Sequence, residues 1–299
     1  MPDSRTLDAL NERFAIPGVA RFEAGAGGMA HAAITAPAAE AHVYLHGAHV
    51  THHQPTGQAP LLFLSARSRF DAQASIRGGV PIVFPWFGAR AAAPDHGFAR
   101  TSEWTVESVE RAGRGVAIAL SLGPTAAGRA FWPHDFLLTY RVTIETALEL
   151  DLAVENRSDT SFTFEEALHS YLQVGDVAQV ALSGLGGAGY VDKTDGMKRK
   201  TLGPDPFRLD GETDRVFPGA GGDCVVVDPV LRRRLSVDKR GSATTVVWNP
   251  WSDKGSHMAD LGPDQWRSML CVETANAMDD AVELAPGARH SMAVAIRAA

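Results

Sequence analysis

The sequence predicts a large, mainly antiparallel β-sandwich, on three observations. Short runs of alternating apolar and polar residues recur along the chain. Helical periodicity is scarce. No repeat, low-complexity tract or linker divides the 299 residues, so they read as one domain over 1–299. The clearest alternation is "LTYRVTIETALELDLAVEN" at 138–156, the period-2 signal of half-buried strands. Further strand-like runs are "AHVYLHGAHVTHH", "WTVESVERAGRGVAIALSL", "TFEEALHSYLQVG", "CVVVDPVLRRRLSVDK" and "ATTVVWNPW". "ERAGRGV" and "ENRSDT" carry Gly and Asn where hairpin turns need them. Residues 1–15 form an N-terminal extension, with one short helix expected over 4–13 and Ser4 as its N-cap.

Composition narrows the function. Apolar residues at 45% suffice for a sizeable core, and charged residues at 21% speak for a globular chain. A net charge of −7 lacks the footprint of a nucleic-acid binder. The basic clusters "KRK" at 198–200 and "RRR" at 232–234 are short enough to be solvated loops or strand edges. No apolar run reaches membrane-spanning length, and "MPDSRTLDAL" lacks the apolar stretch of a signal peptide. Two cysteines, Cys224 and Cys271, make neither a disulfide framework nor a zinc motif. The expected setting is the cytoplasm, with no nucleic-acid or membrane partner.

Several stretches hold chemistry-bearing residues. In "RGGVPIVFPWFG" at 77–88, Pro81 and Pro85 exclude a regular helix. Arg77 offers a two-pronged donor to a carboxylate or phosphate. Gly78 and Gly79 would let a ligand approach, and Trp86 and Phe87 would supply an apolar platform. "DHGFARTSEW" at 95–104 brings Asp95, His96 and a second arginine, Arg100, suited to a dianion. Read as a strand, "FTFEEALHSYLQVGD" places Glu165, Ala167, His169 and Tyr171 on one face. "SMLCVETANA" at 268–277 sets Cys271 and Glu273 against Leu270, Val272 and Thr274. A glutamate buried there would have a raised pKa, a useful property in a general base. A buried ion pair, a core histidine and an exposed glutamate remain the bland alternatives. The density of His46, His49, His52 and His53 is tempting as a metal site, but strand alternation splits these residues between two faces. "GLGGAGY" at 184–190 is followed by no helical pattern, which argues against a dinucleotide loop.

Taken in order, "RGGVPIVFPWFG", "DHGFAR", "HSYLQVGD", "YVDK" and "CVETAN" resemble the aldose 1-epimerase superfamily, and within it the hexose-6-phosphate mutarotases, or glucose-6-phosphate 1-epimerases. The flanking "YLHGAHVTHHQPTGQAPLLFLS", "VVWNPW" and "MADLGPDQW" fit as well, so the likeness runs from about residue 40 to 295. The resemblance implies a β-supersandwich of the galactose mutarotase type and interconversion of the α and β anomers of a sugar phosphate. It matches His169 to a general acid and Glu273 to a general base, facing one cavity a sugar ring apart. It matches Arg77 and Arg100 to substrate arginines and Asp192 to a hydroxyl contact. Asp95 stands where relatives often carry glutamine. His96 is grouped with the substrate-binding residues. No cofactor or metal is implied, and a monomer is expected. Cys271 is expected beside the site, open to thiol reagents. A mutarotase of a free aldose and a non-catalytic carbohydrate-binding protein are the alternatives.

Overall fold

The computed structural model describes residues 6–299. Among these, two eight-stranded sheets carry the architecture, with a four-stranded and a two-stranded sheet beside them. The strand ladders are antiparallel. One large sheet runs Ala181–Ser183, Cys224–Asp228, Arg233–Arg240, Arg289–Ala298, Leu148–Asn156, Phe136–Ile144, Gly115–Leu122, Thr105–Ala112. Its period-2 pattern fixes which face is buried: Leu138, Tyr140, Val142 and Ile144 are inaccessible, as are Leu148, Leu150, Leu152 and Val154 on the neighbouring strand. Emptying one such position, as in Leu150→Ala, costs about 2–5 kcal/mol.

The other large sheet runs Lys198–Thr201, Gly189–Asp192, Thr213–Phe217, Thr244–Asn249, Met269–Asn276, Glu166–Leu168, Ile82–Val83, with Tyr171–Gln173 also paired to Met269–Asn276. Its central strands are covered on both faces: every residue of Thr244–Asn249 and Met269–Asn276 is buried. That is why these two read as near-continuous apolar runs rather than clean alternations. Leu168, Leu172, Leu270 and Val272 join the main core. Val83, Ala167, Val216, Val246 and Ala275 form a second, smaller apolar cluster.

Sheet register brings two distant residues together. Leu168 stands opposite Thr274, and Tyr171 opposite Cys271. In the same register His169 falls opposite Glu273. The ladder breaks at this point: the Ser170 amide donates back to the Leu168 carbonyl at 2.9 Å, and the His169 amide donates to the Pro81 carbonyl at 3.0 Å. The kink belongs to the tight three-residue class common at strand ends.

Several expectations need correction. The first helix spans Leu7–Phe14, and Thr6 caps it, its Oγ1 accepting from the Ala9 amide at 3.3 Å. Ser4 lies outside the described residues. "ERAGRGV" forms its hairpin, with Ala112 opposite Gly115. "ENRSDT" does not. The following strand, Phe162–Phe164, pairs instead with Val282–Leu284. The Asn156 side chain donates to the carbonyls of Thr160 and Leu284 at 2.9 and 2.8 Å, which ties this turn to a distant segment. Gly78 and Gly79 serve the fold rather than a ligand: with φ of 116° and 62°, a Cβ would meet the carbonyls of Phe63 at 2.5 Å and Val50 at 2.3 Å. Arg233 is not a solvated edge. It is buried and donates to the carbonyls of Ala59, Pro60 and Gln173.

Candidate active site

A cavity of about 340 Å³ opens on the second sheet, within the size range of small-molecule sites. It is lined by the cations Arg77, Arg100, Lys193 and Lys254, the carboxylates Asp95, Asp214 and Glu273, and the imidazoles His96 and His169. Phe87, Trp248, Val246 and Met258 supply its apolar wall. Six of the seven site residues expected from sequence therefore converge.

The centre is a cross-strand pair. His169 Nε2 lies 3.2 Å from Glu273 Oε1, so the two touch rather than standing a sugar ring apart. Both are buried, at 8% and 1% exposure. The Tyr171 ring stacks on His169 at 4.8 Å and 13°, and Trp248 meets both edge-on. Burial pushes the His169 pKa well below the usual imidazole value, helped by the positive charges of Arg100 and Arg77. Burial likewise pushes Glu273 well above the usual carboxylate value, helped by Asp214. With shifts of opposite sign, a proton on the carboxyl or on the imidazole leaves the pair at the same total charge. Such a pair can move one proton between two oxygens of a bound molecule.

The remaining groups surround this pair, with Arg77, His96 and Arg100 near His169 and Arg100 near Glu273 as well. The Arg100 guanidinium donates to the Asp95 carbonyl at 2.6 Å. His96 packs its ring edge-on 5.9 Å from His169, and burial with the Arg100 charge lowers its pKa to about 3, so it stays neutral. Also near Glu273, Asp214 and Lys193 form an ion pair at 3.2 Å, and the ammonium lies over the Phe87 ring at 5.3 Å.

Four sequence expectations need correction, although Cys271 does lie beside the pair, near enough for the Glu273 and Arg77 charges to act on its thiol. Asp192 does not line the cavity: its carboxylate accepts from the Thr194 amide at 3.0 Å and from Lys200 at 2.8 Å. Its neighbour Lys193 and the unanticipated Asp214 face the cavity instead. Asp214 sits in "TDRVF", opposite Trp248 in the ladder. A carboxylate inside an otherwise strand-like run was the available signal. Glu165 accepts from the amides of Phe87 and Met278 at 2.9 and 2.7 Å, which pins the loop that carries Phe87. Trp86 turns into the core and donates to the Pro94 carbonyl at 2.9 Å, leaving Phe87 and Trp248 as the cavity's aromatics. Cys271 is fully buried, and burial raises its thiol pKa, so it is no target for bulky reagents.

The clustered histidines disperse. His46, His49 and His53 each bond a different carbonyl, of Ala74, Gly78 and Glu145, at 3.0, 2.7 and 3.0 Å. His52 faces the His42 ring. Among the described residues no group of three His, Cys, Asp or Glu could hold a metal ion, and no helix is long and apolar enough to cross a membrane.

The chain has relatives in sequence and in fold. A protein of Escherichia coli named "Putative glucose-6-phosphate 1-epimerase" is 35% identical over 245 residues, covering 81% of this chain and 82% of its own. The crystal structure of a "putative mutarotase (YeaD)" from Salmonella typhimurium is 30% identical and superimposes with a TM-score of 0.89 over 96% of this chain and 95% of its own. At 13% identity, a "galactose mutarotase-like protein" from Clostridium acetobutylicum shares the fold alone, with a TM-score of 0.74 over 94% and 98% of the two chains. The family model described as aldose 1-epimerase matches residues 31–297, nearly the whole chain, and with it the chain belongs to the aldose 1-epimerase family.

Proposed function

We propose that the protein interconverts the α and β anomers of a hexose 6-phosphate such as glucose 6-phosphate, with Glu273 as base and His169 as acid. The observation that carries this reading is that two arginines, Arg77 and Arg100, line the cavity that holds the buried His169–Glu273 pair. In a pyranose the ring oxygen is bonded to C5, and C5 also bears C6 and its phosphate. A sugar whose ring oxygen faces His169 and whose C1 hydroxyl faces Glu273 therefore carries its phosphate toward Arg77 and Arg100. Its remaining hydroxyls face Asp214 and Lys193.

Anomer exchange starts from ionised Glu273 and protonated His169. Glu273 takes the C1 hydroxyl proton while His169 gives one to the ring oxygen. The C1–O5 bond breaks, and C1 becomes an aldehyde. The pair is then neutral on both sides. After rotation about C1–C2, His169 recovers its proton from the C5 hydroxyl, that oxygen attacks the other face of the carbonyl, and Glu273 returns its proton to O1. Protons and electrons balance without an oxidant. Both pKa shifts favour the opening step: a raised Glu273 is a stronger base and a lowered His169 a stronger acid. Sugar binding must open the 3.2 Å contact between them.

Two free, buried cysteines suit the cytoplasm. The test is anomer exchange by NMR or polarimetry on glucose 6-phosphate against free glucose and galactose. We expect kcat/KM to favour the phosphate by at least about tenfold. A preference for a free sugar would overturn the phosphate assignment, and an unchanged exchange rate at saturating protein would leave only a binding role.

A further inference from the structure

Arg77 does not meet its ligand alone. Its Nε and Nη2 both reach Asp260 Oδ2, at 3.1 and 3.0 Å, and its Nη1 donates to the Tyr171 hydroxyl at 2.8 Å. A guanidinium has five N–H groups. Three are engaged here, which leaves one on each terminal nitrogen, enough for a two-pronged grip on one anion. Asp260 does not line the cavity, whereas Arg77 does.

A second observation shows that this pair is built in. Arg77 and Asp260 are 183 residues apart, yet one short segment anchors both backbones. Ser65 donates its amide to the Arg77 carbonyl at 3.0 Å and its hydroxyl to the Asp260 carbonyl at 2.8 Å. Gln265 Oε1, in the same loop as Asp260, accepts from the Ala66 amide at 3.0 Å. Ser65 is buried, so this latch is shielded from competing water.

We propose that Asp260 is the positioning residue of the phosphate subsite: held by Ser65, it fixes the Arg77 fork so that its two remaining N–H groups face the phosphate. The inference rests on the hexose-6-phosphate reading. Electrostatics and positioning predict opposite signs, which makes it testable. Asp260→Asn removes a negative charge beside the anion, so charge alone would tighten phosphate binding. Positioning requires the reverse, because a neutral amide oxygen holds the guanidinium more weakly than the charge-assisted carboxylate contact does, so the fork is less firmly fixed.

The experiment compares wild type, Asp260→Asn, Asp260→Glu and Ser65→Ala. Readouts are anomer exchange on glucose 6-phosphate and on free glucose, and calorimetric titration of inorganic phosphate. For Asp260→Asn we expect KM for glucose 6-phosphate and Kd for phosphate to rise about tenfold, with kcat within about threefold and kcat/KM on free glucose unmoved. Asp260→Glu should restore part of the affinity, and Ser65→Ala should shift it in the same direction as Asp260→Asn by about threefold, since it keeps the amide bond to Arg77 and removes the hydroxyl contacts with Asp260, Gln265, Arg67 and Gly262. Tighter or unchanged phosphate binding in Asp260→Asn would overturn the inference. So would an equal loss on both sugars, the mark of a merely structural role. Should Asp260→Asn fail to fold, Ser65→Ala decides by the same criteria. If wild type shows no preference for the phosphorylated sugar, the functional reading fails, and the phosphate titration alone decides on Asp260. No phosphate binding at all would overturn both.

Discussion

Two histidine–glutamate pairs flank the Met269–Asn276 strand, and they behave in opposite ways. His169 and Glu273 meet at 3.2 Å, His290 and Glu166 at 2.9 Å. In the cavity, burial and the nearby arginines drive the imidazole pKa down. Behind the sheet, the hydrogen bond that His290 donates to Glu166 drives the His290 pKa up, against partial burial. The His290 side chain keeps 22% exposure, so its charge retains contact with water, and Asn276 donates to Glu166 at 3.0 Å. The same residue types at nearly the same distance thus have imidazole pKa values shifted in opposite directions. Solvation and neighbouring charge, rather than the pair itself, decide which.

The largest test of this contrast removes one member of each pair. Glu273→Gln and His169→Asn should each lower the exchange rate by about 10²–10⁴-fold while the fold persists, measured by NMR exchange and thermal melting. Wild-type turnover in either variant would place the chemistry elsewhere. Arg77→Ala should act on binding instead, raising KM for glucose 6-phosphate by about tenfold or more with kcat largely kept, because the phosphate contact is shared by ground and transition states.

The pH dependence sharpens the contrast further. A pair that works with one proton gives a bell-shaped rate profile. The lowered His169 and raised Glu273 place its acid limb below 6.5, the usual imidazole value, and an acid limb above that value would contradict the electrostatics of the cavity. His290 responds differently. Its folded pKa is raised above 6.5, so the stability it adds is fully present below that pH and is lost as pH rises through the folded value. His290→Gln should therefore cost about 1–3 kcal/mol at pH 6 and less at pH 9, by denaturant titration, with turnover nearly unchanged. A large loss of turnover would show that the two pairs are coupled. The smallest expected effect is at Cys271: a bulky thiol reagent should leave the native enzyme unlabelled and active, with labelling appearing only on unfolding. Rapid native labelling would mean the strand opens far more readily than its burial suggests.

Much of the site was legible before any coordinates. Arg77, His96, Arg100, His169 and Glu273 stand out because each is a polar residue set in an apolar or glycine-rich strand context, and the ordered motifs reinforce one another. Asp192 and Asp214 show where such reading fails. Both are strand carboxylates in plausible positions. Which one reaches the cavity depends on how Thr213–Phe217 pairs with Thr244–Asn249, and on Lys200 being near enough to hold Asp192. Trp86 and Phe87 pose the same problem, since adjacent aromatics point to opposite sides and only the packed loop says which side is the cavity.

The sequence by itself determined the sandwich, because period-2 alternation commits each strand to one buried face, and it determined the family through motifs whose residue types the chemistry requires. Only the tertiary structure decided that His169 and Glu273 touch in one cavity, that Asp214 rather than Asp192 joins them there, and that Asp260 pairs with Arg77. Those outcomes depend on register between strands far apart in the chain and on how much water reaches each group, neither of which local sequence encodes.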